Sequence, residues 1–433
     1  MNEPTVVFWF RRDLRVNDNH GLYQALTSGY KVLPLFIFDT VILNKLPEDD
    51  KRLVFIHNQI HNLNNTIESF GSSLQVFHGE PAAIMEMLAS QYNIRAVYCN
   101  HDYEPYALQR DIAIENLLKS KGISFETFKD QVLFEKSEIV KSDNSPYVVF
   151  TPYSRRWMEM KLKTGVPSYP SINFLQNFAA VDPTEIPTLS QMGFKEQDVR
   201  FSAPEINEGL LNSYAETRNF PGLDNTTRLG HYLRFGTISI RDCIRAGEKY
   251  SQVWLNELIW REFFMQILWH FPKVEKSAFR SGYDRIIWNN NTEDYEKWCT
   301  GNTGYPLVDA GMRELNQTGF MHNRVRMVVA SFLTKHLLID WRWGEAYFAE
   351  KLLDFELSSN NGNWQWAAGS GCDAAPYFRI FNPSEQLKKF DKELTYVMRW
   401  VPEYATSKYA QPMIDHVFAR QRCLAAYSMA LKQ

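Results

Sequence analysis

Between Thr5 and Phe128 the chain alternates short apolar runs with longer stretches in which apolar positions recur every three or four residues. The runs Thr5–Phe10, Lys31–Phe38, Ser73–Phe77, Ala96–Asn100 and Ser124–Phe128 are rich in Val, Ile, Phe and Tyr, and the stretches between them follow the helical period. Strand and helix in alternation is the pattern of βαβ units on a parallel sheet, so residues 1–135 are predicted to form an α/β, doubly wound domain. Ligands of such sheets sit beyond the carboxyl ends of the strands. That places Phe10–Asn19 (FRRDLRVNDN) and Asn100–Asp111 (NHDYEPYALQRD) either at a site or in ordinary strand-to-helix loops.

The period is lost from Thr164 to Arg200, where Pro recurs without any sustained pattern, and an interdomain connector is predicted over 136–202. From 203 to 433 strand-like runs nearly vanish and helical stretches dominate, with no internal repeat. The second domain is predicted to be all-α.

Composition narrows the class. With 433 residues, 45% hydrophobic and 22% charged, the chain is neither fibrous nor disordered, and its length suits two domains. Aromatic residues reach 14%, with 12 Trp, which suits an aromatic helical core and permits stacking or electron transfer. Lys and Arg number 47 against 50 Asp and Glu, a formal charge of −3, so any nucleic acid must be met by a local basic patch. The five cysteines (99, 243, 299, 372 and 423) show no CxxC spacing, which argues against a disulfide framework or a zinc site, and no metal is expected. The N-terminus lacks the apolar core of a signal peptide and no stretch approaches ~20 apolar residues, so a cytoplasmic protein without membrane spans is expected. GxxxxGK[ST], HExxH and GxSxG are absent, which removes the usual support for nucleotide-triphosphate, zinc-protease and α/β-hydrolase chemistry.

Four segments carry the candidate chemistry. Gln252–Phe271 (QVWLNELIWREFFMQILWHF) puts Trp254, Glu257, Leu258 and Arg261 on one helical face and Glu257, Trp260 and Phe264 on the next, which reads as a core helix with an internal ion pair or as a cofactor wall. Phe320–Leu337 holds HNRVRM, with Asn323, Arg326 and Met327 on one face and Arg324 elsewhere. Arginines in so apolar a run require buried partners. Leu352–Trp366 (LLDFELSSNNGNWQW) supplies Asp354 and Glu356, followed by Asn360 in a turn. Thr226 and Thr227 in DNTTRLGHYL are placed at a helix start, as a plain cap or a phosphate seat.

TTRLGHYL, WLNELIWREF, the run from NTGYPLVDAGM to LLIDWRWGE, NNGNWQWAAGSGCDAAPYFRIFNP and the opening FWFRRDLRVNDN together resemble the photolyase/cryptochrome family, nearest to its class I cyclobutane pyrimidine dimer photolyases. The resemblance covers nearly the whole chain. It implies light-driven repair of pyrimidine dimers in UV-damaged DNA by a monomer, with FAD, active as FADH⁻, folded into a U shape in the helical domain. On the matching motifs, Tyr214, Thr226, Thr227, Arg228, Leu229 and Gly230 would surround the pyrophosphate. Trp254, Glu257, Arg261, Asn323 and Arg326 would surround the flavin, with Asp354, Phe355, Glu356 and Asn360 at its polar edge and N5. Two positions depart from the family pattern: Glu356 stands where Asp is usual, after the bulky Phe355, and Gly230 where some members have Ser.

The resemblance also implies that Trp260 and Trp366 wall the flipped dimer, that Met327 touches it, and that Glu257 and Asn323 bond its bases, making Glu257, Asn323 and Asn360 the catalytic set. Arg218, Arg324, Arg379 and Gln386 would meet DNA. His322-Asn323 replaces the His-His pair of (6-4) photolyases. Trp288, Trp341 and Trp364 match the family's electron-transfer triad, and Trp269 and Trp343 are read as structural. A second, antenna chromophore, methenyltetrahydrofolate or deazaflavin, would sit in the first domain, where Glu104 aligns with a folate-binding acid. The rival readings are a cryptochrome light receptor without repair activity, against which the absence of a long tail after Gln433 is set, and a DASH-type repair protein preferring single strands. A plain flavin- or DNA-binding module comes last.

Overall fold

The structure is a computed structural model describing residues 3–197, 199 and 201–432; Arg200, where the stretch without a period ends, lies outside the described residues. Five parallel strands, β1 (Thr5–Phe10), β2 (Lys31–Asp39), β3 (Gln75–Gly79), β4 (Ile94–Asn100) and β5 (Ser124–Phe128), form one sheet in the order β3-β2-β1-β4-β5. β1 is central and buried along its whole length, as an apolar strand covered on both faces must be. β3 starts two residues later than the apolar run suggests. Asn64 Oδ1 accepts from Leu74 N (2.8 Å) and Ser73 Oγ (3.3 Å), which holds these two residues out of the ladder.

The strand order reverses between β1 and β4, so the loops after these strands meet at the sheet's switch point. They are packed with the protein's own charges. Arg11 pairs with Asp111 (2.6 Å), Arg12 with Asp102 (3.0 Å), and Arg15 with Asp130 (2.7 Å). Arg241, 2% exposed, joins Asp18 and Asp130, each at 2.8 Å, and lies over the Tyr169 ring.

The chain divides into two compact units whose bounds differ from the predicted domains: the first is Met1–Glu135 with Glu159–Ile206 and Leu229–Glu248, and the second is Lys136–Met158, Asn207–Arg228 and Lys249–Gln433. The predicted connector is therefore no free linker. Ser171–Asn177 forms a 3-10 helix, Phe178 bridges to Val32 of β2, and Leu175, Phe178, Leu189, Met192 and Phe194 are buried in the core of the first unit. Pro breaks their spacing, which hides these apolar residues from any periodic reading, but they still gain by leaving water.

The second unit is helical, with a core of Trp298, Val308, Val329, Phe332, Trp341 and Trp364 among its buried members. Gly344 lets helix Trp341–Lys351 approach this core, because a Cβ there would stand 2.1 Å from the Trp364 ring. The predicted Phe320–Leu337 helix starts later, at Asn323, because the His322 ring caps it by accepting from Arg324 N. It runs to Ser331, then turns through a π-helical segment, Phe332–Leu337. Thr226 and Thr227 do not open a helix. The next one begins at Gly230 and is five residues long, capped by Leu229 without a side-chain bond. All five cysteines are free, and among the described residues no helix is long and apolar enough to cross a membrane.

The Arg241 network and the surface pair Arg245–Asp242 (2.7 Å, 38% and 46% exposed) make a contrast in burial. Arg241→Met strands buried carboxylates and is expected to cost about 3–5 kcal/mol. Arg245→Met should cost within about 1 kcal/mol. Urea midpoints of the purified variants check both.

Candidate functional site

Four helices of the second unit bring the charged candidates together. Ser251 caps Gln252–His270, accepting from Trp254 N, and the helix then buries Trp254 and carries Arg261 two turns on. Arg261 Nη2 donates to Glu356 at 3.0 Å, and Glu356, 5% exposed, also accepts from Ser359 Oγ at 3.2 Å. Glu356 thus keeps its charge paired, with the longer acid reaching a helix-borne arginine. Arg326 is fixed twice: Nε donates to Met321 O (2.7 Å) and Nη2 to Asp354 Oδ2 (2.9 Å). Asp354 Oδ1 is buried and has no partner, so the pair retains one acceptor for a donor from outside the chain.

Asn360 lies one helical turn after Glu356, and its Nδ2 donates to Glu345 O (3.0 Å) and Glu345 Oε1 (2.9 Å). Its amide N–H groups are thereby occupied, and the carbonyl is the atom left to accept. Burial pushes the Glu345 carboxyl upward, Asn360 pulls it down, and nearby Glu275 pushes it further up. Glu345 was missed in the sequence. It is one acid on an aromatic helix, and only the fold sets it behind Asn360.

On the other side of the Asn323–Ser331 helix the charges repel. Burial, then the like charges of Arg218 and Arg379, lower the Arg324 pKa. Each makes only limited contacts: Arg324 donates to Asn219 Oδ1 (2.6 Å) and to Met327 Sδ (3.7 Å) and lies over Phe390, while Arg218 pairs with Glu257 at 2.6 Å. Glu257 is half-buried in that pair rather than facing an internal partner on its own helix. Arg379 is exposed, and Gln386 is half-buried on Pro383–Phe390. Asn323 is exposed at the first position of its helix with no hydrogen bond from its side chain. Trp260 stacks on Phe150 at 3.7 Å and 5°, which fixes its ring plane, and Trp366 is half-buried.

The remaining candidates are less concentrated. The Tyr214 ring lies under Arg218, and burial raises its phenol to about 12. Thr226 and Thr227 are half-buried in irregular chain, and Arg228 is exposed and paired with Asp224. Leu229 and Gly230 fall in the first unit. Trp341 and Trp364, each 2% exposed, share the core cluster, and the partly buried Trp288 packs against it. Trp364 also touches Trp298 and Phe348, which the spacing of the triad did not single out. Phe355 packs on the same cluster. Glu104 is held by Arg12 and Arg234, each at 3.2 Å.

The second unit thus carries a buried acceptor without a partner on one side of the Asn323–Ser331 helix and an arginine facing like charges on the other. A family model described as the FAD binding domain of DNA photolyase matches residues 254–408, and one described as DNA photolyase matches residues 6–171. The deoxyribodipyrimidine photo-lyase of Synechococcus sp. is 37% identical over 92% of this chain and 88% of that protein. A bacterial class III photolyase from Agrobacterium tumefaciens superposes with a TM-score of 0.87 at 32% identity, covering 100% of this chain and 98% of the other. An archaeal photolyase from Sulfolobus tokodaii with two FAD molecules gives 0.85 at 33% identity, covering 98% of this chain and 100% of that one. The chain belongs to the photolyase/cryptochrome family.

The His322 cap sets a pH dependence. Burial, with Arg326 and Arg324 close by, pushes the ring down from 6.5 to about 4. As pH falls through that window the unfolded chain takes up a proton that the folded His322 refuses. The wild type should therefore lose about 1.4 kcal/mol more per pH unit than His322→Asn, whose amide also caps. Urea midpoints from pH 7 to 4 measure the difference.

Proposed function

We propose that this chain repairs cyclobutane pyrimidine dimers in DNA by light-driven electron transfer from reduced FAD. The observation that carries the reading is the Asn323–Ser331 helix: Asn323, open, and Arg326, paired with Asp354, stand one turn apart, about 4.5 Å along its axis. One helix thus serves a lesion and a flavin at close range. Bound there, FADH⁻ would supply, on excitation, the electron that splits the dimer and would recover it afterwards.

The chain's residues bind, orient and hold protons. Asp354 Oδ1 offers its unmet acceptor to a ring N–H such as a flavin carries, and Arg326 and Arg261 hold the Asp354 and Glu356 carboxylates in place. Asn360 turns its carbonyl to the reduced ring and, being an amide, provides no acidic proton of its own. Trp254, Glu257 and Asn323 would line the flavin, and Tyr214, Thr226, Thr227 and Arg228 its phosphates. Arg218, Arg324, Arg379 and Gln386 draw the DNA backbone in, relieving the repulsion of Arg218 and Arg379 on Arg324. Trp260, its plane set by Phe150, walls the flipped dimer together with Trp366, while Met327 touches it and Glu257 and Asn323 bond its bases. Trp288, Trp341 and Trp364 would be the route by which a reductant in solution, donating at the Trp288 end, supplies electrons to oxidised flavin. Glu104, held by Arg12 and Arg234, is assigned to a second chromophore in the first unit, and the enzyme is assigned to the cytoplasm as a monomer.

Purified holoprotein mixed with dimer-containing duplex DNA should remove dimers under blue light and none in darkness. A light receptor without repair would leave them in both. Trp364→Phe should abolish photoreduction of the oxidised enzyme while sparing repair after chemical reduction.

A further inference from the structure

The helical unit holds a concavity apart from the residues assigned above. Between the Pro383–Phe390 helix and the segment around Tyr404 to Pro412 lies a cavity of about 440 Å³, within the range of ~300–1,000 Å³ of small-molecule sites. None of the flavin or dimer residues lines it.

Its charge is positive where it is free. Lys388 and Lys392 line the cavity beside Asp391, but both Asp391 oxygens are taken by backbone N–H groups, of Tyr396 at 3.0 Å and Val397 at 2.9 Å. Lys392 has no carboxylate partner among the described residues. Lys388 pairs only with Glu385 at 2.8 Å, where both side chains are more than 60% exposed, a contact worth little and readily exchanged for a phosphate.

Its aromatic wall is built. The Tyr404 and Tyr409 rings meet edge to face at 5.3 Å and 79°. Tyr409 Oη donates to Asp309 Oδ2 at 2.6 Å, and the fully buried Asp309 also accepts from Thr303 N and Oγ1, each at 2.7 Å, and from Gly304 N at 3.0 Å. Gly304, at φ +76, is in the left-handed region, and a Cβ there would stand 2.2 Å from Gln411 O. Tyr409 is thereby fixed from behind by a rigid turn, while the Tyr404 hydroxyl makes no hydrogen bond.

Two cations and two aromatic rings around one ligand-sized space select a planar ring that carries a phosphate. We propose that this cavity is a nucleotide subsite, taking the base against Tyr404 and Tyr409 and the phosphate on Lys388 and Lys392. The nucleotide is either free in solution or part of the DNA strand that the enzyme holds, since Gln386 of the DNA-facing set shares the helix with Lys388.

Deoxyadenosine monophosphate is the probe, because FAD fills the flavin site in the holoprotein and the dimer wall is shaped for pyrimidines. In calorimetric titration it should bind at least tenfold tighter than deoxyadenosine or inorganic phosphate, and K388E/K392E should weaken it at least tenfold while repair of a five-nucleotide dimer substrate keeps its rate. Fifteen-nucleotide dimer strands separate the sources: weaker binding of the long strand alone by the double variant assigns the subsite to DNA, and unchanged binding of both lengths assigns it to free nucleotide. No measurable binding of the probe, or equal binding by wild type and K388E/K392E, overturns the proposal. Loss of repair in the wild type would instead strike at the photolyase reading and leave the titration intact.

Discussion

An arginine that leaves water for an apolar helix has to bring its counter-charge with it. Arg261 and Arg326 both do so, and their partners, Glu356 and Asp354, lie two residues apart in a single turn between helices. That turn therefore cannot drift: each acid is tied to a different helix, and the start of Leu357–Ala368, with Asn360 on it, is positioned as a result. Asn360 in turn reaches Glu345 on a further helix. The frame is thus a chain of paired charges and one amide, with two acceptors left open, Asp354 Oδ1 and the Asn360 carbonyl.

The other face is less completely paired. Arg218 is held by Glu257, while Arg324 has no carboxylate partner among the described residues and faces the like charges of Arg218 and Arg379. The two faces meet on the Asn323–Ser331 helix, where Arg324 and Arg326 sit two positions apart, point to different neighbours and carry opposite electrostatic situations. One face of this helix is thus tightly paired, and on the other an arginine faces like charges. Trp364 and Trp341 are buried in the core cluster of the same unit, and the partly buried Trp288 packs against that cluster.

Much of this was legible because strong local signals carried it. Strands β1 and β5 end where their apolar runs end, and the demand of Arg326 for an acid could be stated before its partner was seen. Other features were hidden for physical reasons. Prolines scattered the apolar residues of the predicted connector, so that its docking onto the first unit left no period to read. The start of β3 depended on Asn64, a side chain some ten residues away that captures two residues of the expected strand. Thr226 and Thr227 had the chemistry of a cap without the helix, since the helix that follows is short and starts later. Glu345 and Asn219 are polar residues whose roles arise only through partners 15 and 105 positions away. Contacts of that reach follow from packing and leave no trace in local spacing.

The account rests on the Arg326–Asp354 pair serving a bound flavin rather than the fold alone. The joint replacement Arg326→Met with Asp354→Leu removes both charges at similar volume, and such replacements are often neutral for stability. FAD binding by the apoprotein of this double variant, measured by quenching of flavin fluorescence, is the direct test. The account predicts an unchanged urea midpoint with FAD affinity down at least about tenfold, a loss of 1.4 kcal/mol or more. A double variant that folds and binds FAD as tightly as the wild type would contradict it.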